Sequence, residues 1–150
     1  MKVESLDTLR ELLNIDRLRL QEELIGQPGL FARVAELHGI AWMDVSRAKL
    51  TLAKVEAALE QRIRLMLDED RRTSGSGQWV MREEVIAAVH REQAWVDANE
   101  RVIGAQSTLG QISAIKDAYI QRSQMLISLC GLTRQELAGL STAIATDSRI

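Results

Sequence analysis

Five basic side chains in the middle of the chain have the residue types and the spacing of a possible anion-binding site. Arg62 and Arg64 flank a single isoleucine, Arg71 and Arg72 are adjacent, and Lys54 precedes all four. Guanidinium and ammonium groups bind the phosphate oxygens of nucleic acids without reading the bases. If this cluster lies at the tip of a helical hairpin that is repeated in an assembly, it predicts a multivalent site for a polyanion.

The same cluster has a second interpretation that needs no ligand. Arginines near the end of a helix stabilise its negative C-terminal end, and Glu60 and the acidic residues 68–70 could pair with them. The net charge of −2 also gives no overall attraction to nucleic acid. Trp79, just past the cluster, could stack on an exposed base or pack at the hairpin tip. The residues alone leave both interpretations open.

No catalytic arrangement is found in the sequence. His38 and His90 are far apart and have no metal-ligand spacing around them, so we expect no metal site. Cys130 ends a helical stretch among leucines, which favours a buried structural thiol. The segment Ser74–Gly77 lacks the pattern of a phosphate-binding loop and follows a helix instead of a strand. We expect a protein that is not an enzyme and has no cofactor.

A long helix over residues 28–72 must position the basic cluster. Its apolar residues recur in steps of three or four, which is the helical period. They are Leu30, Val34, Leu37, Ala41, Val45, Ala48, Leu52, Val55, Leu59, Ile63 and Met66. A neighbouring arc is basic, with Arg33, Arg47, Lys54 and Arg62. Pro28 suits the first turn of this helix.

The rest of the chain is predicted to be all-α. We expect short helices in residues 1–27, with Ser5 as an N-cap and a break at residues 14–16, and a loop at 73–78. A second long helix follows over 79–130, and Gly131 with the pattern Thr133-x-x-Glu136 predicts a short last helix in residues 131–150. Polar residues fall on or near the second seam at Glu92, Asn99 and Gln106.

The predicted fold is therefore a long antiparallel helical hairpin with short N- and C-terminal helices, in a single helical domain spanning 1–150. A lone hairpin of this length leaves apolar surface uncovered, so we expect self-assembly through coiled-coil-like seams. One cysteine fits a reducing compartment. The sequence shows no leader and no membrane-spanning run, so we expect a cytoplasmic protein with no membrane partner.

Several short stretches, in their order along the chain, resemble the UvsY family of phage recombination mediators. The resemblance spans roughly residues 5 to 130. It includes Asn14-Ile15-Asp16, Leu20-Gln21-Glu22-Glu23, Pro28-x-Leu30, His38, Arg62-Ile63-Arg64, Glu84-Val85, Val96-Asp97-Ala98 and Ile115-x-x-x-Tyr119-Ile120-x-Arg122. The chain departs from the family at the turn, which lacks paired aromatics before Ser74-Gly75. It departs again at Cys130–Thr133, where the family has an aromatic and basic segment.

The resemblance implies a recombination mediator for DNA recombination and repair, encoded by a phage and acting in the host cytoplasm. Such a protein binds single-stranded DNA without sequence preference and helps to load a recombinase onto strands coated by single-strand-binding protein. It implies a ring of identical subunits. The DNA-binding residues it implies are Arg62, Arg64 and, assisting, Lys54, and the basic cluster adds Arg71 and Arg72. The alternative is a coiled-coil structural or assembly-chaperone protein with no nucleic-acid role.

Overall fold

The computed structural model describes residues 6–75 and 79–147, with side chains as far as residue 139. Most of these residues are helical, and none of them forms a strand. The helices are α1 (Leu6–Glu11), α2 (Leu20–Ser74), α3 (Arg82–Val89) and α4 (Gln93–Asp147), and a 3-10 turn covers Arg17–Arg19. The long helices α2 and α4 pack against each other, which confirms the predicted all-α helical hairpin.

The chain forms two compact units, and both long helices contribute to each. The terminal unit comprises Met1–His38 and Gln111–Ile150. The central unit comprises Gly39–Gly110. The expectation of a single helical domain stays a prediction.

The core of the terminal unit is built from α1, α2 and α4. Leu9, Val34, Ile115 and Tyr119 are buried together there. The Tyr119 hydroxyl donates a 3.0 Å hydrogen bond to the carbonyl of Leu9, which fixes the end of α1 on α4. Because a buried phenol needs a partner for its hydroxyl, this bond also removes the cost of burying it.

A buried arginine of α4, Arg122, connects this helix to α2 and to the α1–α2 connection in the same unit. Its side chain is only 3% exposed and pairs with the carboxylate of Glu23. Its Nη1 donates to Gln27 Oε1, and the Gln27 amide donates a 2.9 Å bond to the Tyr119 carbonyl. Arg122 also reaches the carbonyl of Asn14 at 3.5 Å. A buried charge is costly without such partners, so the network ties the α1–α2 connection and α2 to α4.

The core of the central unit forms where α3 lies against the two long helices. Leu59 and Ile63 of α2 are buried with Val85 and Val89 of α3. Trp95 of α4 packs against them, and its ring stacks on His90 at 4.1 Å between centroids. The predicted apolar stripe of α2 therefore packs against other helices of the same chain.

The prediction that Met66 belongs to the apolar stripe is wrong. It is 58% exposed, whereas Leu67 packs against the cluster of Leu59 and Ile63. The contact face advances in steps of four from Val55 through Leu59 and Ile63 to Leu67. Each such step turns the face by about 40° around the helix, which carries it past Met66.

The predicted start of the long helix at Pro28 is also wrong. α2 begins at Leu20 and passes through Pro28, and Gly26 and Gly29 do not interrupt it. The buried contacts of Gln27 with Tyr119 and Arg122 hold this part of α2 against α4. Tertiary contacts therefore outweigh the missing amide of proline. The predicted break at residues 14–16 is confirmed, and Ser5 lies outside the described residues.

The second long helix is interrupted where the sequence predicted none. α3 ends at Val89, and α4 starts again at Gln93. The Glu92 carbonyl accepts the amides of Trp95 and Val96 at 3.0 and 3.2 Å, which opens α4. The interruption allows α3 to lie on α2 separately from α4. No proline or glycine marks it, so the pattern of residues could not reveal it.

The predicted stop at Gly131 is wrong as well, since α4 continues to Asp147 as one helix. The Thr133 hydroxyl does not cap a new helix, because it donates a 3.0 Å bond back to the Leu129 carbonyl. Cys130 is half-buried, not fully buried as expected. The separate short C-terminal helix is therefore part of α4.

The Arg122 network yields a prediction about stability. Arg122→Ala should lower the free energy of unfolding by about 3–5 kcal/mol, because Glu23 and Gln27 would lose a buried partner. Urea unfolding followed by circular dichroism measures this loss. Arg134→Ala removes an exposed arginine of the same helix and should change the value by less than about 0.5 kcal/mol. Equal losses in the two variants would contradict the assigned role of Arg122.

Candidate nucleic-acid interface

Arg62 lies on α2 in the central unit and faces the start of α4. Its Nη2 pairs with Glu92 Oε2 at 2.7 Å. Both side chains remain partly open to solvent, 56% for the arginine and 39% for the glutamate. Arg62 therefore joins α2 to the α3–α4 junction and still presents part of its guanidinium outside.

Arg64 points to another side of α2. Two residues along an α-helix correspond to a rotation of about 200°, so Arg62 and Arg64 cannot share one face. Arg64 pairs instead with Glu60 at 3.4 Å on the exposed side of the helix. The structure therefore brings the two arginines to one level of α2 but separates them around its axis.

Arg71 joins the end of α2 to the start of α3. It donates to the carbonyl of Trp79 and pairs with Glu84 at 2.5 Å. Glu84 also accepts the amide of Met81 at 3.1 Å, in the first turn of α3. Arg71 is half-buried by these contacts, so its main role is to hold the start of α3 against the end of α2. Glu83 and Glu84 lie in the first turn of α3, where negative charge is favourable.

The remaining two predicted residues are more accessible. Arg72 is exposed and pairs with Glu69 at 2.8 Å, one turn earlier on the same helix. Lys54 is exposed and has no ion pair among the described residues. These two cations and Arg64 lie on the outer side of α2, away from the apolar core of the central unit.

Trp79 follows the turn with its side chain 92% exposed. It therefore does not pack against the described residues at the hairpin tip. Only its backbone carbonyl is held, by Arg71. An indole this open gains almost no hydrophobic free energy from packing within the described residues.

The ion pairs in this region are weak enough for its cations to exchange one anionic partner for another. Exposed ion pairs contribute only about 0–1 kcal/mol each, so a phosphate could replace a carboxylate partner at little cost. The sequence analysis did not pair Glu92 or Glu84 with an arginine. These carboxylates lie outside α2, so they restrain Arg62 and Arg71 more than the partners within α2 restrain Arg64 and Arg72.

Other kinds of site are not found among the described residues. They contain no group of three or more side chains able to hold a metal ion. In the described part of the chain, no helix is long and apolar enough to cross a membrane. A cavity of about 410 Å³ is an open groove in the terminal unit between residues 13–17 and α4.

Comparison with known proteins adds no relative. No family model, no curated protein and no solved structure matches this chain.

The contacts of Arg71 predict local destabilisation of the turn. Arg71→Ala should lower the free energy of unfolding by about 1–3 kcal/mol and speed amide hydrogen exchange in α3, because Glu84 and the Trp79 carbonyl lose their donor. Arg72→Ala, which removes a single-helix ion pair, should change the free energy by less than about 0.5 kcal/mol. Similar exchange rates in both variants would show that Arg71 does not hold the turn.

Proposed function

We propose that this protein binds single-stranded DNA without sequence preference and helps to load a recombinase onto strands coated by single-strand-binding protein. It acts as a non-catalytic mediator in recombination and repair, and the resemblance of its sequence to phage mediators supports this role. The observation that carries the proposal is an exposed indole, Trp79, in the same compact unit as the exposed cations Arg62, Arg64, Arg72 and Lys54.

The chemistry of these groups matches that of a single strand. Single strands are held by cations along the phosphate backbone and by aromatic rings that stack on unpaired bases. Trp79 is free to stack, and Arg72 lies at the end of the helix that leads to this turn. Such contacts do not depend on base identity, which fits sequence-independent binding.

A second function is favoured by a different observation. Each of the four arginines of the basic cluster has a carboxylate partner within its own unit, namely Glu92, Glu60, Glu84 and Glu69. A coiled-coil structural or assembly-chaperone protein would need these pairs only for its fold. Binding of DNA to the purified protein distinguishes the two functions.

Loss of two cations should weaken DNA binding in a salt-dependent way. For Arg62→Ala/Arg64→Ala we expect affinity for a labelled oligo-dT to fall about tenfold to a hundredfold, because two solvent-exposed phosphate contacts are lost and each contributes about 0.7–1.4 kcal/mol. The slope of log K against log salt should decrease by about 0.7 per lost contact. Fluorescence anisotropy titrations at several salt concentrations measure both quantities.

The matched control is Arg10→Ala/Arg19→Ala, which removes two exposed arginines that form surface ion pairs in the terminal unit. This variant should bind as the wild type does. Equal slopes in the two double variants, or no binding by the wild type at low salt, would reject the site. Loading is tested separately by strand exchange with a recombinase on coated DNA, where no stimulation by a DNA-binding wild type would reject the mediator role.

Trp79 should contribute stacking and nothing to the fold. Trp79→Ala should weaken oligo-dT binding by about 1–3 kcal/mol, whereas Trp79→Phe should retain most of the affinity. Since the side chain is exposed, neither variant should change the midpoint of thermal unfolding. Unchanged affinity in Trp79→Ala would remove the indole from the interface.

A further inference from the structure

Within the central unit, α2 carries a second apolar face that none of the described residues covers. We call it the outer face. Trp42 is 60% exposed and Leu50 is 58% exposed, and Met43 is exposed beside them. Between these larger side chains lie small exposed residues. The outer face comprises Trp42, Met43, Ser46, Leu50, Ala53 and Ala57.

The spacing of the outer face is that of a coiled-coil seam. Met43, Ser46, Leu50, Ala53 and Ala57 follow one another in alternating steps of three and four residues. This repeat is the heptad pattern that lets two helices pack along their length. The buried stripe of Ala41, Val45 and Leu59 lies about 150° away around the helix, so the two faces can be used at the same time.

The one polar residue of the outer face is already satisfied. The Ser46 hydroxyl donates a 3.0 Å hydrogen bond to the Trp42 carbonyl within the helix. Burying it against a partner would therefore leave no donor unpaired. With Ala53 and Ala57, it provides the small surface that lets a second helix approach closely.

We propose that the outer face pairs with the outer face of a second copy of this chain, with the two α2 helices antiparallel. In that register Leu50 of one copy lies opposite Ala53 of the other, and Ser46 lies opposite Ala57. The two central layers then pair the large Leu50 with the small Ala53, and the layers on either side pair the small Ser46 and Ala57, so the two helices can approach closely along the seam. The pairing is isologous, because each copy offers the same residues.

The charges beside the seam support a second copy and choose its direction. Lys49 and Glu56 lie on the same edge of the outer face, seven residues apart. In an antiparallel pair, Lys49 of each copy faces Glu56 of the other, which gives two attractive contacts. A parallel pair would instead place Lys49 against Lys54 of the other copy, which repels.

The opposite edge of the seam collects cations. Arg47 and Lys54 of each copy fall there in one row of four, and their repulsion is relieved when an anionic chain lies along them. This part rests on the proposed function, because it makes Lys54 a contributor to a DNA site that is complete only in the pair. Single-stranded DNA should therefore promote the pairing.

Disulfide trapping in a Cys130→Ser background tests the register without DNA. A mixture of Ser46→Cys and Ala57→Cys proteins should give a crosslinked heterodimer, because these positions face each other. Ser46→Cys alone should not crosslink, since its two copies would lie about 16 Å apart along the seam, too far for a disulfide. Crosslinking of Ser46→Cys alone would show a parallel pair and overturn the proposal.

Mass in solution tests whether this face is used at all. The wild type should have a mass at least twice that of one chain by light scattering, and Leu50→Glu should reduce it at least twofold. Leu65→Glu is the matched control, an exposed leucine of the same helix that lies off the seam, and it should leave the mass unchanged. A monomeric wild type, or a Leu50→Glu variant of unchanged mass, would overturn the pairing and leave the face to another partner.

The effect of DNA on the pairing is tested separately. Oligo-dT should raise the yield of the Ser46/Ala57 crosslink in the wild-type surface background and not in Arg47→Ala/Lys54→Ala. If crosslinks form but oligo-dT changes nothing, the cation edge is rejected while the pairing stands. If the wild type binds no DNA, the proposed function fails independently of the crosslinks.

Discussion

The burial of a single charge, Arg122, constrains how the helices of the terminal unit fit together. A guanidinium removed from water needs acceptors, and its two Nη groups find them on Asn14, Glu23 and Gln27. Because these acceptors lie on different segments, a shift of α2 along α4 would leave the charge unpaired. Apolar contacts between two long helices tolerate sliding by a turn, whereas this network does not. The register of the hairpin in this unit therefore depends on polar contacts.

In the central unit, α2 carries two apolar faces and several charged side chains. The inner stripe packs on α3 and α4, and the outer face remains open. The arginines divide accordingly: Arg62 and Arg71 join helices to one another, while Arg64 and Arg72 pair only within α2. The basic residues therefore differ in how freely they can meet a ligand, although the sequence presents them as one cluster.

The sequence predicted the helical class and most of the inner stripe because period and composition are strong for long amphipathic helices. It failed where a tertiary contact decides the local structure. The contacts of Gln27 carry α2 through Pro28, and the hydroxyl of Thr133 bonds back into α4 instead of capping a new helix. The basic cluster was found from its spacing, but the partners of Arg62 and Arg71 come from residues 30 and 13 positions away. No local pattern of residues encodes those pairings.

The three tryptophans give this chain distinct optical environments. Trp79 is in water, Trp42 is partly open on the outer face, and Trp95 is half-buried against the imidazole of His90. A stacked imidazole can quench indole emission, whereas an open indole emits at longer wavelength and is reached by soluble quenchers. Events at the turn, along α2 and at the α3–α4 junction therefore have separate fluorescence reporters. The protein carries its own probes for three parts of the central unit without any label.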